Sequence, residues 1–70
     1  MKKIYIKTDY IKLDSFLKLV GEASTGGEAK NLILNGFVKI AEEVCYQRGK
    51  KILPNTEISV NENKYKVVKE

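Results

Sequence analysis

The chain has no histidine, no tryptophan, one cysteine and one proline in 70 residues, and each shortage removes a class of fold or function. With Cys45 as the only thiol, no intramolecular disulfide can form, and a zinc site of the usual Cys/His kind lacks its ligands, so no metal and no cofactor are expected. No histidine is present to activate Cys45 as a nucleophile. No pair of carboxylates has spacing suited to acid–base work, so no catalytic residue is expected and the chain reads as non-enzymatic, with no small-molecule substrate. Cys45 fits a small strand residue that packs as an apolar side chain. No apolar run is long enough to span a bilayer, and the opening Met-Lys-Lys-Ile-Tyr-Ile-Lys lacks the apolar stretch of a signal peptide. An apolar helix face flanked by lysines is missing too, so a cytoplasmic location without membrane contact is expected. Linkers, repeats and low-complexity tracts are absent, which makes residues 1–70 one small domain, expected to be monomeric.

What the chain does have is basic charge: 13 Lys+Arg against 9 Asp+Glu, a formal net charge of +4 and a pI near 9.2. That balance suits an anionic partner. Arg48, Lys50 and Lys51 form one cluster, with no acid between Val44 and Glu57. Lys2, Lys3 and Lys7 edge the first segment. Lys64, Lys66 and Lys69 read as the solvated surface of a one-sided antiparallel strand, where lysines also deter edge-to-edge pairing.

Periodicity divides the chain into a strand, two helices and a small sheet. Residues 2–7 set lysines against Ile4 and Ile6, which predicts a short strand. Leu13, Phe16, Leu17 and Val20 recur at i, i+3, i+4 and i+7, the apolar stripe of a first helix that Gly21 is placed to end. A second helix is expected from Gly26 to Gly36 with Ala29, Leu32 and Ile33 facing inward, while Leu34 falls off that stripe. Beyond Gly36, Val38, Ile40 and Val44 are expected to face inward and Lys39 outward, around a hairpin at residues 41–43. Pro54-Asn55 and Asn61-Glu62-Asn63 punctuate two further strands carrying Ile58 and Val60, then Tyr65 and Val67. The expected class is α+β: two helices packed on a short antiparallel sheet around a single core.

The segment Ser-Thr-Gly-Gly-Glu-Ala-Lys-Asn at residues 24–31 carries the sharpest chemical signal. Thr25 can accept from the Glu28 amide while the Glu28 carboxylate reaches back to the Thr25 amide, a reciprocal capping box that starts the helix at Gly26. Gly26 and Gly27 then leave first-turn amides open at the positive end of the helix dipole, a seat for phosphate. Lys30 lies on the same face and leans toward the N-terminus, so its ammonium overhangs that seat. A nucleotide-binding loop is excluded: Gly21 and Gly26 have the required spacing, but Gly27 and Glu28 stand where the lysine and hydroxyl of that motif belong. Held without being cleaved, the phosphate points to a polymer.

From Lys12 to about Val60 the chain resembles the S-four RNA-binding domain, named after the fourth protein of the small ribosomal subunit. The matching residues are Lys12-Leu13-Asp14, Leu17, Gly21, Ser24, Ala29, Leu32-Ile33, Gly36, Val38 and Ile40. Thr25 to Lys30 together with Arg48-Gly49-Lys50-Lys51 is similar to the small stand-alone bacterial branch of that family, associated with ribosomal RNA and ribosome assembly. The resemblance implies an αL-like motif, a helix pair followed by a hairpin, that presents Lys12, Lys30, Lys39 and Arg48 to structured RNA. With Thr25, Gly26, Gly27, Lys50 and Lys51 from the motifs above, and Lys18 on the first helix, these residues make up the candidate RNA-binding set. Arg48 suits a forked contact to two phosphate oxygens or a base edge, whereas Lys50 and Lys51 supply point charge.

The chain departs from the family pattern at Ala41-Glu42, where Asn-Gly is usual. Neither residue readily takes the positive φ of a tight primed turn, so a longer or reshaped loop is expected. Asn55-Thr56 replaces Gly-Asp, and Gly26 stands where other branches carry an arginine, which puts a backbone contact in place of a side-chain one. Glu42 and Glu43 bring negative charge toward the proposed face. The aromatic residues do not form the paired platform of a single-strand binder, and Tyr46 alone accompanies the basic cluster. The leading expectation is a non-catalytic protein that binds structured, ribosomal RNA by shape, with a role in ribosome assembly or function. The alternative is a ribosome-associated adaptor whose contacts are mainly with protein.

Overall fold

The computed structural model describes residues 1–70, which fold as β1 (Lys2–Ile6), β2 (Ile11–Lys12), α1 (Leu13–Leu19), α2 (Gly26–Leu34), β3 (Val38–Ile40), β4 (Glu43–Val44), β5 (Lys51–Ile52), β6 (Glu57–Val60) and β7 (Asn63–Lys69). Five strands form one sheet in the order β1-β7-β6-β3-β4, and β2 pairs with β5 in a separate two-stranded ribbon. The α+β class holds, but the sheet is mixed: β1 runs parallel to β7, with Ile4 beside Val67. Alternation sets which side chains face inward and is the same for either strand direction, so it could not reveal that the two ends of the chain lie side by side.

The helices cover one face of the sheet. Leu13, Phe16 and Leu17 from α1 and Ala29 and Ile33 from α2 join Val38, Ile58, Val60, Tyr65 and Val67 in one buried cluster, and no polar side chain is buried. Helix α1 stops where expected, with Val20 as C-cap and Gly21 at φ +83. Helix α2 ends at Asn35, followed by Gly36 at φ +79, with Val44 and the Tyr46 ring lying over the Gly36 backbone. Leu34 points to solvent, which is why it fits no stripe.

The β3–β4 connection overturns the expected long loop. Lys39 is registered with Val44 and Ile40 with Glu43, so only Ala41 and Glu42 make the turn, at φ +51 and +71. The family's tight turn is kept without its usual residues. One consequence is a reversed side chain: Val44, expected inward, shares the outer face with Lys39, and Cys45 turns in to pack against the core.

Glu22 ties the helix connection to the sheet. Its Oε2 accepts from Tyr65 Oη at 2.5 Å and from Asn63 Nδ2 at 2.8 Å, while the Tyr65 ring meets Phe16 edge-on at 5.6 Å. Burial first, then the bond to Glu22 and its charge, push the Tyr65 hydroxyl up to about 12 from its ordinary 10.0. Because the folded value lies above the unfolded one, this contribution to stability is complete below pH 10 and is lost as pH rises toward 12. Tyr65→Phe should cost about 1–2 kcal/mol at neutral pH. The gap between wild type and variant, read from urea melts, should close across pH 10 to 12. A gap that stays constant over that interval would show that the bond to Glu22 contributes nothing.

Candidate nucleic-acid interface

The two helices begin in different ways. The start of α1 is closed by the protein itself: the Leu13 amide donates to the Lys50 carbonyl at 2.9 Å, the Asp14 amide to the Arg48 carbonyl at 3.1 Å, and the Ser15 amide to Asp14 Oδ1 at 2.8 Å. No side chain of Lys12 takes part in this cap. The start of α2 is open. Thr25 Oγ1 accepts from the Glu28 amide at 3.1 Å, but the Glu28 carboxylate reaches past Thr25 to the Ser24 amide at 2.7 Å, which corrects the reciprocal pairing expected with Thr25. The amides of Thr25, Gly26 and Gly27 have no acceptor within the protein.

Neither glycine is there for the protein's own packing. A Cβ on Gly26 would meet nothing within 4 Å, and one on Gly27 only Thr25 Oγ1 at 3.8 Å; both residues have ordinary helical φ. Glycine in a helix costs about 0.5–1 kcal/mol relative to alanine. The first turn of α2 thus carries no side chain at either position beside its open amides. Lys30 is exposed on the following turn.

The bonds that close α1 also gather charge. Because Arg48 and Lys50 lend their carbonyls to α1, their segment lies against the helix start, and the β2–β5 ribbon sets Lys12 directly opposite Lys51. Lys12, Arg48, Lys50 and Lys51 thus occupy one corner, where the Lys51 ammonium also lies 4.8 Å from the centre of the Tyr10 ring. The ribbon was not foreseen; two residues per strand are too few for alternation to register. The two ion pairs of the molecule, Lys7–Glu70 and Lys69–Asp9, involve none of the candidate residues. Lys69 holds the Asp9 carboxyl below its ordinary range, first by their hydrogen bond and then by its charge.

Of the candidate set, Lys12, Arg48, Lys50 and Lys51 come together at the start of α1, whereas Thr25, Gly26, Gly27 and Lys30 form the opening of α2. Lys18 lies exposed in the last turn of α1, between Lys12 and Thr25 in sequence. Lys39 joins neither: it is on the outer face of the sheet, away from the helices.

The S4 (S-four) domain family pattern matches residues 4–68. The chain belongs to the S4 domain family. Among solved structures, the 30S ribosomal protein S4e from Thermoplasma acidophilum has the same fold, with a TM-score of 0.65 and 20% identity over 86% of this chain and 32% of that one. This S4 domain thus spans about a third of that ribosomal protein. No curated protein matches the chain. No helix of this S4 domain is long and apolar enough to cross a membrane.

Proposed function

We infer that this S4 domain is a non-catalytic RNA-binding protein that docks onto structured, ribosomal RNA through backbone phosphates, in ribosome assembly or function. Family membership and the ribosomal neighbour support RNA as the partner. The observation that carries the phosphate reading is the corner at the start of α1, where Lys12 faces Lys51 beside Arg48 and Lys50 with no carboxylate paired to any of them. Like charges set opposite each other across a ribbon destabilise the free protein, and a polyanion relieves that repulsion. The open amides of α2 supply a second anchor of different chemistry: fixed backbone donors with Lys30 above them.

A salt titration of binding to purified ribosomal RNA tests the reading. With about five phosphates neutralised, log affinity should fall against log salt with a slope on the order of −3 to −5. The double variant Lys30→Ala/Arg48→Ala should lose RNA retention with unchanged melting, since both side chains are exposed and unpaired. A flat salt response, or partners that survive complete RNA digestion while purified RNA fails to bind, overturns this function in favour of a protein adaptor.

A further inference from the structure

The face of the sheet turned away from the helices carries its own array of lysines. Lys3 of β1 lies beside Lys66 of β7, Lys64 lies beside Ser59 of β6, and Ser59 lies beside Lys39 of β3. Neighbouring strands are about 4.8 Å apart and alternate residues about 7 Å apart along a strand, so the four lysines, which span β1 to β3, spread over a patch roughly 16 Å across. None of them is in an ion pair. The acids nearby are Glu57, registered with Lys66 but outside ion-pair distance, and Glu42, which with Met1, Glu57, Ser59 and Lys64 borders a shallow depression at one end. On the same face Tyr5 follows Lys3, with 58% of its surface exposed.

Protection against edge pairing accounts for Lys3 on the edge strand β1 but not for the other three. Strand β7 is flanked by β1 and β6, so Lys64 and Lys66 guard no edge. Lys3 beside Lys66 places like charges on adjacent positions of neighbouring strands, with Glu57 on the far side of Lys66 but outside ion-pair distance, and an anion lying across the two lysines would offset their repulsion. The Tyr5 ring adds a stacking surface that only an unstacked base can use.

We propose that the outer face of the sheet binds a single-stranded RNA segment, with Lys3, Lys39, Lys64 and Lys66 along its phosphates and Tyr5 against a base. The helices separate this face from the α1 corner and the α2 opening, so the domain bridges two RNA segments. The bridge rests on the function proposed above; the sheet site does not.

The test is direct binding of labelled oligo(U) to the full chain, comparing wild type, Lys3→Gln/Lys66→Gln and Lys30→Ala/Arg48→Ala. The Lys3/Lys66 variant should bind oligo(U) several-fold more weakly, with a salt slope shallower by about 1.4, while keeping its affinity for structured ribosomal RNA. Its melting temperature at low salt should equal or exceed that of wild type, which shows that it folds. The Lys30/Arg48 variant should bind oligo(U) as wild type does. In a sandwich assay, wild type held on immobilised ribosomal RNA should recruit oligo(U), and the Lys3/Lys66 variant should not. Undiminished oligo(U) binding by the Lys3/Lys66 variant overturns the site, as does binding of polyglutamate in place of oligo(U). Oligo(U) binding that depends on Lys3 and Lys66 while structured RNA fails to bind keeps the site and removes the bridge together with the proposed function.

Discussion

Replacing Gly26 and Gly27 together by alanine should raise the melting temperature of this S4 domain and weaken its hold on RNA in the same molecule. The stability gain follows from the open space around both positions and their helical φ, which leave a methyl group nothing to strain against. Each substitution reduces the freedom of the unfolded chain, for about 0.5–1 kcal/mol apiece. In a domain of this size that is a rise of roughly 4–16 °C. Binding should move the other way. A helical Cβ tilts toward the N-terminus, so two methyl groups would stand over the amides that are free to receive a phosphate. Losing one or two charge-assisted hydrogen bonds, at about 1.5–3 kcal/mol each, weakens affinity by at least tenfold. Thermal melts and RNA titrations on one preparation read both signs. A stabilised variant that binds ribosomal RNA as wild type does would show that the bare amides play no part in recognition.

The start of α2 was legible because its signals are local. Thr25, Glu28 and two glycines fall within a single turn, and capping chemistry depends on residues three apart. Both helices and the inward residues of β6 and β7 could be read for the same reason, since a 3.6- or 2-residue period is complete within a few residues. What could not be read is everything set by distant pairing. The corner of Lys12 and Lys51 exists because residues 11–12 meet residues 51–52, and the lysine face of the sheet exists because the first strand lies beside the last. From sequence, Lys64 and Lys66 were charges on one strand, and only the position of β7 inside the sheet takes away their role as edge protection. Lys39 shows the limit of resemblance: its outward direction was expected from alternation, yet its neighbours are Ser59 and Val44 rather than the helix-side cations.

The turn at Ala41-Glu42 failed as an expectation because composition was weighed without the register that fixes the turn's length. Pairing of β3 with β6 places Val38 and Ile40 in the core, and the Cys45 amide donates back to the Val38 carbonyl at 3.0 Å, so β4 must return after two residues. Two residues close a right-twisted hairpin through a primed turn, and the type I′ form needs φ positive at both, where Ala41 and Glu42 are held at +51 and +71. A residue with a Cβ costs about 1–2 kcal/mol in that region, whereas asparagine and glycine enter it readily. Ala41→Asn/Glu42→Gly should therefore stabilise the domain by about 1–3 kcal/mol once the extra freedom of glycine in the unfolded chain is subtracted. The matching rise in melting temperature is roughly 4–24 °C. Both residues are exposed, so the gain arises in the backbone and not in packing. Single variants should divide it between the two positions, and Glu42→Ala, which removes the charge but keeps the Cβ, should give little of it. A double variant that melts with wild type would mean that the strain is absorbed elsewhere, and the tight turn would then owe nothing to the residues at its tip.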